Sequence, residues 1–189
     1  ISNLIKDFDN IIIVGGMGNA MLKNTGINIG KSVCDEGYKN LVGEIIEKSE
    51  THNCKIYYPL DVVVSKTLDG NGTIKEITEV NNDEMILDIG PKTIESIKNI
   101  INDTNTVLWN GPAGYFENPN FANGTKKILE IIANKRLKDK IYAVAGGGET
   151  VAVINKFNKL NTFNFVSTAG GAFLEYLEGK ELPGIKALN

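Results

Sequence analysis

The sequence predicts an α/β protein of Rossmann-like, three-layer architecture, in which a parallel sheet carries helices on both faces. Short apolar runs typical of buried strands alternate along the chain with amphipathic helical patterns. Four strand ends carry glycine-rich turns, which begin at Gly15, Asn110, Gly146 and Thr168. Because ligands bind at the carboxyl ends of the strands in an open α/β sheet, these turns mark the candidate site.

The length and composition fit one domain over residues 1–189. The chain is 42% hydrophobic and 23% charged, with a net charge of −3. No basic stripe and no membrane-length apolar stretch is present, so we expect neither a nucleic-acid nor a membrane partner. We expect a cytoplasmic monomer. The first residue is Ile1, which indicates processing or excision from a longer protein.

In the first half of the chain, residues 11–14 (IIIV) are a predicted buried strand and residues 38–50 a predicted amphipathic helix. Residues 55–58 and 61–64 flank Pro59 and are interpreted as one buried strand with a break. The polar segment 65–82 contains the sequence DGNG at 69–72. This is a hairpin signal and predicts a small antiparallel excursion outside the main sheet.

In the second half, Pro91 opens a predicted helix that extends to about residue 102. A strand at 107–109 leads through a glycine–proline turn to a helix predicted at 121–134. Two further strand–turn–helix units follow. Their strands are predicted at 141–145 and 163–167, with helices after Thr150 and around Phe173.

The segment 141–150 (IYAVAGGGET) is the most informative of these units. A strand, a glycine turn and a helix start direct free backbone N–H groups and a positive helix end at an anion. The glycines allow a phosphate to approach the backbone, and Glu149 is placed to reach a metal ion that the phosphate carries. The alternative interpretation is a tight turn whose glycines serve packing alone.

Two nearby patterns resemble other nucleotide motifs incompletely. Gly16-Met17-Gly18 begins a dinucleotide fingerprint, but Met21 stands at the third glycine position. Residues 26–32 (GINIGKS) resemble a phosphate-binding loop but are one residue short, and neither a strand before them nor a helix directly after them is predicted. We therefore reject the second pattern and give the first little weight.

Several motifs together resemble the carboxy-terminal, nucleotide-binding domain of the phosphoglycerate kinase family. They occur in the family's order over nearly the whole chain: IIIVGGM, PLDVVV, LDIGPKT, VLWNGPAGYFE, AVAGGGET and VSTAGGAFLEYLEGKELPG. The resemblance implies a Rossmann-like domain that binds ATP or ADP with Mg²⁺. It also implies reversible phosphoryl transfer from 1,3-bisphosphoglycerate to ADP, which gives 3-phosphoglycerate and ATP in glycolysis.

Carried over by position, the resemblance assigns roles to the turn residues. The adenine pocket is assigned to Gly15, Gly16, Ile86 and Leu87. Along the nucleotide lie Asn110, Pro112, Gly114 and Tyr115, with Glu117 on the ribose hydroxyls. Phosphates are assigned to Gly147, Gly148 and Thr150, the metal to Glu149, and the transferred group to the helix end at Gly170 and Gly171.

The chain also departs from the family's pattern. The amino-terminal domain, which binds the phosphoglycerate, is absent, as is the lysine-bearing segment expected just before Ile1. Glu149 stands where the family has Asp, Ile86 where it commonly has Gly, and Ala169 where Gly is usual. Phosphoryl transfer depends on positioning and charge neutralisation, so we expect the chain alone to be inactive.

Two alternatives remain at this point. One is a diverged, non-catalytic module in which Glu149 and Ile86 mark lost nucleotide binding. The other is a nicotinamide-dependent oxidoreductase on a similar fold. Equilibrium titrations with ADP and NAD discriminate between them.

Overall fold

The computed structural model describes residues 1–34, 37–139, 141–169 and 171–188. Its strands are β1 (Asn10–Ile12), β2 (Lys55–Tyr57), β3 (Asp61–Ser65), β4 (Thr73–Glu76), β5 (Met85–Ile89), β6 (Thr106–Asn110), β7 (Tyr142–Gly146) and β8 (Phe165–Ser167). Its α-helices are α1 (Gly15–Asn24), α2 (Tyr38–Thr51), α3 (Pro91–Asn102), α4 (Asn123–Asp139), α5 (Gly148–Lys156), α6 (Gly171–Leu177) and α7 (Pro183–Lys186).

The strands form three hydrogen-bonded ladders. β6, β7 and β8 are parallel with β7 in the middle, and β1 is parallel to β2. β3 lies between β4 and β5 in an antiparallel ladder. Parallel ladders with helices around them, together with a small antiparallel sheet, confirm the predicted α/β class.

Two apolar clusters lie on opposite sides of β1. Ile11 and Ile13 contribute to one cluster, whereas Ile12 and Val14 pack against the other, as the alternation of a strand requires. The first cluster joins β1 to α1 and α2. The second, larger cluster joins β6 and β7 to α3, α4 and α5. Helices therefore cover both faces, and the glycine turns are carried on a packed base.

The interpretation of residues 55–64 as one broken strand was wrong. β2 pairs with β1, whereas β3 belongs to the antiparallel sheet. Pro59 between them lacks an N–H group, and the next two N–H groups, of Leu60 and Asp61, are donated to Thr93 Oγ1 at 2.9 and 3.2 Å. The chain therefore leaves the parallel ladder at Pro59 and enters a second sheet.

The predicted hairpin is present, but it is larger than expected. β3 and β4 pair across the segment that contains the DGNG sequence, so the first strand begins at Asp61 and not near residue 65. β5 adds a third antiparallel strand on the other side of β3.

Several element boundaries also differ from prediction. The helix predicted at 121–134 is α4, which begins two residues later because a short 3-10 helix, Pro119–Phe121, precedes it. α5 begins at Gly148, inside the glycine turn, and β8 begins at Phe165. α1 starts at Gly15, so the first glycines form a helix end. Among the described residues, no helix is both long and apolar enough to cross a bilayer.

The segment 26–32 uses its backbone N–H groups inside the protein. Gly30 N–H donates to Asn28 Oδ1 at 3.0 Å, and Lys31 N–H donates to the carbonyl of Glu84 at 2.7 Å. These donors are occupied and hold the segment against the antiparallel sheet. This supports the rejection of a phosphate-binding loop at this position.

Candidate functional site

The turns after β6, β7 and β8 begin side by side at one edge of the sheet. In the parallel register, Asn110 is opposite Gly146, and Gly146 is opposite Ser167. α5 begins directly after the second turn and α6 after the third. The carboxyl ends of three strands thus meet at one level, which is where an open α/β sheet binds its ligands.

The turn at residues 110–117 is held by hydrogen bonds to three different elements. The Gly111 N–H group donates to Thr150 Oγ1 on α5 at 2.6 Å. The Ala113 N–H group donates to Thr125 Oγ1 on α4 at 2.9 Å. The Tyr115 N–H group donates to the Leu87 carbonyl on β5 at 2.7 Å. Thr125 and Thr150 are completely buried. The backbone of this turn is therefore fixed before any ligand arrives.

The backbone of the next turn requires a glycine at position 147. Gly147 has φ +93°, and a Cβ there would lie 2.6 Å from Asn110 Oδ1. Val151 N–H donates to the Gly147 carbonyl at 3.0 Å, which closes the first turn of α5. Helix geometry leaves the N–H groups before Val151 without intrahelical acceptors. They point outward with the positive end of the helix, as an anion site requires.

The turn after β1 adjoins the 110–117 turn. Gly15 has φ +62°, and a Cβ there would lie 3.4 Å from the Pro112 carbonyl oxygen. Gly16 is exposed with open space around it. Gly18 has a packing explanation, because its Cβ would lie 3.1 Å from the Ile13 carbonyl oxygen and 3.3 Å from Pro59 Cδ.

The middle of β5 contains a bulge that faces the 110–117 turn. Val63 is opposite Asp88 and Val64 is opposite Ile86, which leaves Leu87 as the extra residue. The bulge frees the Leu87 carbonyl to accept from Tyr115. Ile86 packs against a separate small cluster, formed by Val62, Val64 and Val80.

Asp88, next to the bulge, is a buried carboxylate with 1% of its surface exposed. Its Oδ2 accepts from Gly124 N–H at 2.8 Å and its Oδ1 accepts from Ile89 N–H at 2.9 Å. Burial raises the pKa of Asp88 to about 6, although the N–H groups of Gly124, Ile89 and Asn123 favour its ionised form. Gly124 is in the first turn of α4, so the carboxylate ties β5 to that helix end.

Two other carboxylates lie at the surface of the site. Glu117 is exposed at the end of the 110–117 turn, two residues after Tyr115, whose surface is 37% exposed. Glu149 is exposed in the first turn of α5. No group of three or more His, Cys, Asp or Glu side chains within the described ranges is placed to hold a metal ion. Magnesium bound with a nucleotide usually takes only one or two protein carboxylates beside phosphate oxygens and water, so a single carboxylate such as that of Glu149 would suffice to hold it.

The last turn meets the others through α6. Phe173 packs on Gly146 so closely that a side chain at Gly146 would overlap its ring. Gly171 is exposed at the start of α6. Gly170, the other predicted residue of this turn, lies outside the described residues.

Sequence reasoning missed three residues that shape the site: Asp88, Thr125 and Lys156. Lys156 Nζ donates to the Phe116 carbonyl at 2.8 Å and lies 5.5 Å from the centre of its ring. Only Asp88 carried a usable signal, because it is an acidic residue inside the apolar strand sequence MILDI.

The sequence of this chain is similar to those of known proteins. A sequence model described as phosphoglycerate kinase matches residues 1–180. The chain belongs to the phosphoglycerate kinase family. It is 44% identical to the phosphoglycerate kinase of Zymomonas mobilis, with alignment over 100% of this chain and 48% of that protein.

Solved phosphoglycerate kinase structures share the fold. The structure of the Coxiella burnetii enzyme superposes with a TM-score of 0.91 at 40% identity, over 99% of this chain and 48% of that one. The Pyrococcus horikoshii enzyme gives a TM-score of 0.78 at 28% identity, over 99% and 47% of the respective chains. The chain thus spans about half the length of the phosphoglycerate kinases that it matches.

Proposed function

We propose that this chain is the nucleotide-binding domain, over residues 1–189, of a two-domain phosphoglycerate kinase, and that it binds ADP and ATP with Mg²⁺. The observation that carries the proposal is the meeting of three glycine turns at one sheet edge, with the turn after β1 beside them and the 110–117 turn fixed by three hydrogen bonds. Such a prearranged backbone reduces the entropy lost on binding.

The adenine ring lies against the turn after β1 and the β5 bulge, between Gly15 and Gly16 on one side and Ile86 and Leu87 on the other. The sugar follows the 110–117 turn along Asn110, Pro112, Gly114 and Tyr115. Glu117, exposed at the end of that turn, accepts hydrogen bonds from the ribose hydroxyls. These assignments are supported by the closeness of Gly15 to Pro112 and of Leu87 to Tyr115.

The phosphates lie at the start of α5, where Gly147, Gly148 and the Thr150 backbone surround them. The Thr150 hydroxyl already accepts from Gly111, so it contributes by fixing the turn. Glu149 would hold a magnesium ion through a water molecule, beside the phosphate oxygens. A magnesium ion held there would supply charge neutralisation for phosphoryl transfer. Gly170 and Gly171 support the transferred group.

In the complete protein, a phosphoryl group passes from the acyl phosphate of 1,3-bisphosphoglycerate to the terminal oxygen of ADP. The products are 3-phosphoglycerate and ATP, and the reaction is reversible. The phosphoglycerate site and its basic residues are assigned to the half of the relatives that this chain does not span. The chain alone therefore binds nucleotide without turnover. We also propose that it is a cytoplasmic monomer.

A diverged module without nucleotide affinity is the second candidate. It is favoured by the packing of Ile86 onto the antiparallel sheet beside the expected adenine position, and by the longer side chain of Glu149. In that case the fold and the turns persist without a working site.

Calorimetric titration of the purified chain with ADP, Mg-ADP and NAD tests the proposal. We expect saturable binding of ADP, a different affinity with magnesium, and no binding of NAD. A folded chain that binds no ADP would establish the diverged module. Binding of NAD in preference to ADP would indicate an oxidoreductase. Circular dichroism of the same sample verifies that the chain is folded.

A further inference from the structure

The buried carboxylate of Asp88 lies between the start of α4 and the 110–117 turn. It accepts from Gly124 at the start of α4, and a Cβ on Gly114 would lie 2.5 Å from its Oδ1. The adjacent carbonyl of Leu87 accepts from Tyr115 at 2.7 Å. The carboxylate thus fills the space between β5, α4 and the turn, and its position determines how closely Gly114 can approach.

A second buried carboxylate in the same protein provides a comparison. Asp61 is also 1% exposed and also ties a strand to a helix start, since it accepts from the N–H groups of Lys92 (2.9 Å) and Thr93 (2.8 Å) on α3. The Thr93 hydroxyl gives Asp61 a further donor at 2.8 Å. Asp61 approaches Gly90, and not a residue of the 110–117 turn.

Asp88 differs from Asp61 in its donors. Its hydrogen bonds come from backbone N–H groups, without the hydroxyl donor that Asp61 has. Burial raises the pKa of Asp88 to about 6. The causes of that pKa are burial and the backbone N–H groups. The titratable groups on the surrounding turn, on α4 and on β3 are not among them; these groups are Tyr115, Glu117, Lys126, Lys127 and Asp61. The ionised carboxylate of Asp88 is therefore a buried charge beside the turn, stabilised by backbone N–H groups and, among the described residues, by no charged partner that contributes to its pKa. Such perturbed titratable groups are frequent at functional sites.

We propose that Asp88 is a positioning residue for nucleotide binding, which holds the start of α4 and the Gly114–Tyr115 backbone in the geometry that accepts ADP. This rests on the proposed function. Ionised Asp88 can accept all of its backbone N–H groups at once. A neutral amide in its place presents a donor to one of those N–H groups, so the turn loses part of its support.

Isothermal titration with ADP at pH 7.5 compares the parent chain with Asp88→Asn and Asp61→Asn. We expect Asp88→Asn to bind about tenfold more weakly, equivalent to ~1.4 kcal/mol, with a thermal midpoint no lower than that of the parent. Asp61→Asn should lower the midpoint and leave ADP affinity unchanged. Equal ADP affinity of Asp88→Asn and the parent, or an equal loss in both variants, overturns the positioning role.

The pH dependence distinguishes positioning by the ionised carboxylate from a general structural defect. The titration of the ADP phosphate affects both proteins equally, so it cancels in the ratio of the parent's ADP affinity to that of Asp88→Asn. We expect this ratio to fall from about ten at pH 7.5 toward one near pH 5, as Asp88 in the parent becomes protonated. A ratio that stays constant over this range contradicts the proposal.

A measurement on the parent alone covers the case in which Asp88→Asn does not fold. If ionised Asp88 favours ADP binding, linkage requires ADP to lower the pKa of Asp88. Carbon-13 NMR of the aspartate carboxyls, titrated with and without saturating ADP, measures this directly. A pKa unchanged by ADP overturns the positioning role while leaving nucleotide binding intact. A parent chain that binds no ADP overturns both proposals.

Discussion

Gly147 and Asn110 lie so close together that a Cβ on Gly147 would be 2.6 Å from Asn110 Oδ1. The two residues belong to neighbouring turns, one after β7 and one after β6. Gly147 also has φ +93° and ψ 141°, a conformation that is essentially restricted to glycine. Contact and conformation together fix the phosphate side of the proposed site.

Gly147→Ala is therefore expected to destabilise the chain by roughly 1–3 kcal/mol, from backbone strain alone, with an added contribution from the contact with Asn110. Gly148→Ala is the matched control, because a Cβ at Gly148 meets no atom within 4 Å. Its stability should change by less than about 1 kcal/mol. Urea unfolding of both variants measures the difference, and similar values for the two would contradict the assigned strain.

The raised pKa of Asp88 predicts how stability depends on pH. Its folded pKa of about 6 lies above the ordinary carboxyl value, so the folded state binds this proton more tightly than the unfolded state does. Protonated Asp88 therefore contributes fully to the free energy of unfolding below about pH 4, and this contribution is lost as the pH rises through about 6. The difference in unfolding free energy between the parent and Asp88→Asn should fall by up to about 3 kcal/mol between pH 4 and 7.

Urea unfolding of both proteins at several pH values measures that difference, since subtraction removes the titration of the other carboxylates. A difference that is flat or that rises with pH would show that Asp88 is ionised without cost in the fold.

Glu117→Gln tests the assignment of Glu117 to the ribose. Replacing a carboxylate acceptor by a neutral amide is expected to weaken ADP binding by ~1 kcal/mol, equally with and without magnesium. Glu50→Gln, another exposed carboxylate, on α2 and away from the turns, serves as the control. A loss confined to the magnesium titration would transfer Glu117 to the metal site.

Glu149→Asp tests the metal position. Glu is longer than Asp by one methylene, roughly 1.5 Å, and the backbone at Gly147 lies close against Asn110. We therefore propose that Glu149 contacts magnesium through a water molecule. Direct contact by Asp should tighten Mg-ADP binding by up to about 2 kcal/mol, the entropy of one ordered water, and leave metal-free ADP binding nearly unchanged. Weaker Mg-ADP binding by the variant would show that the loop has adapted to Glu.

Elements with strong local signals were predicted closely from the sequence. α3 begins at Pro91 and ends at Asn102, as predicted from the proline at its first position and from the helical spacing of Ile94, Ile97 and Ile101. The turns were located correctly because glycine clusters follow apolar runs. These signals are short-range and need no knowledge of the rest of the fold.

The parts that were missed depend on contacts between distant residues. Residues 55–64 split into two strands because Thr93, more than thirty positions away, accepts the N–H groups after Pro59. The bulge at Leu87 leaves no mark in an apolar strand, since the pattern does not record register. Thr150 accepts from Gly111 across 39 positions, so its structural role was not visible in the motif.

Amide hydrogen exchange with and without Mg-ATP shows whether the four separate turns form one nucleotide site. Saturating Mg-ATP should slow exchange at residues 15–18, 111–117, 147–150 and 168–171 together. Residues 44–51 of α2, which lie outside the four turns, should not change and serve as the control. We expect slowed exchange in all four turns. Slowed exchange in only one turn, in none, or in residues 44–51 would show that the turns do not form one site.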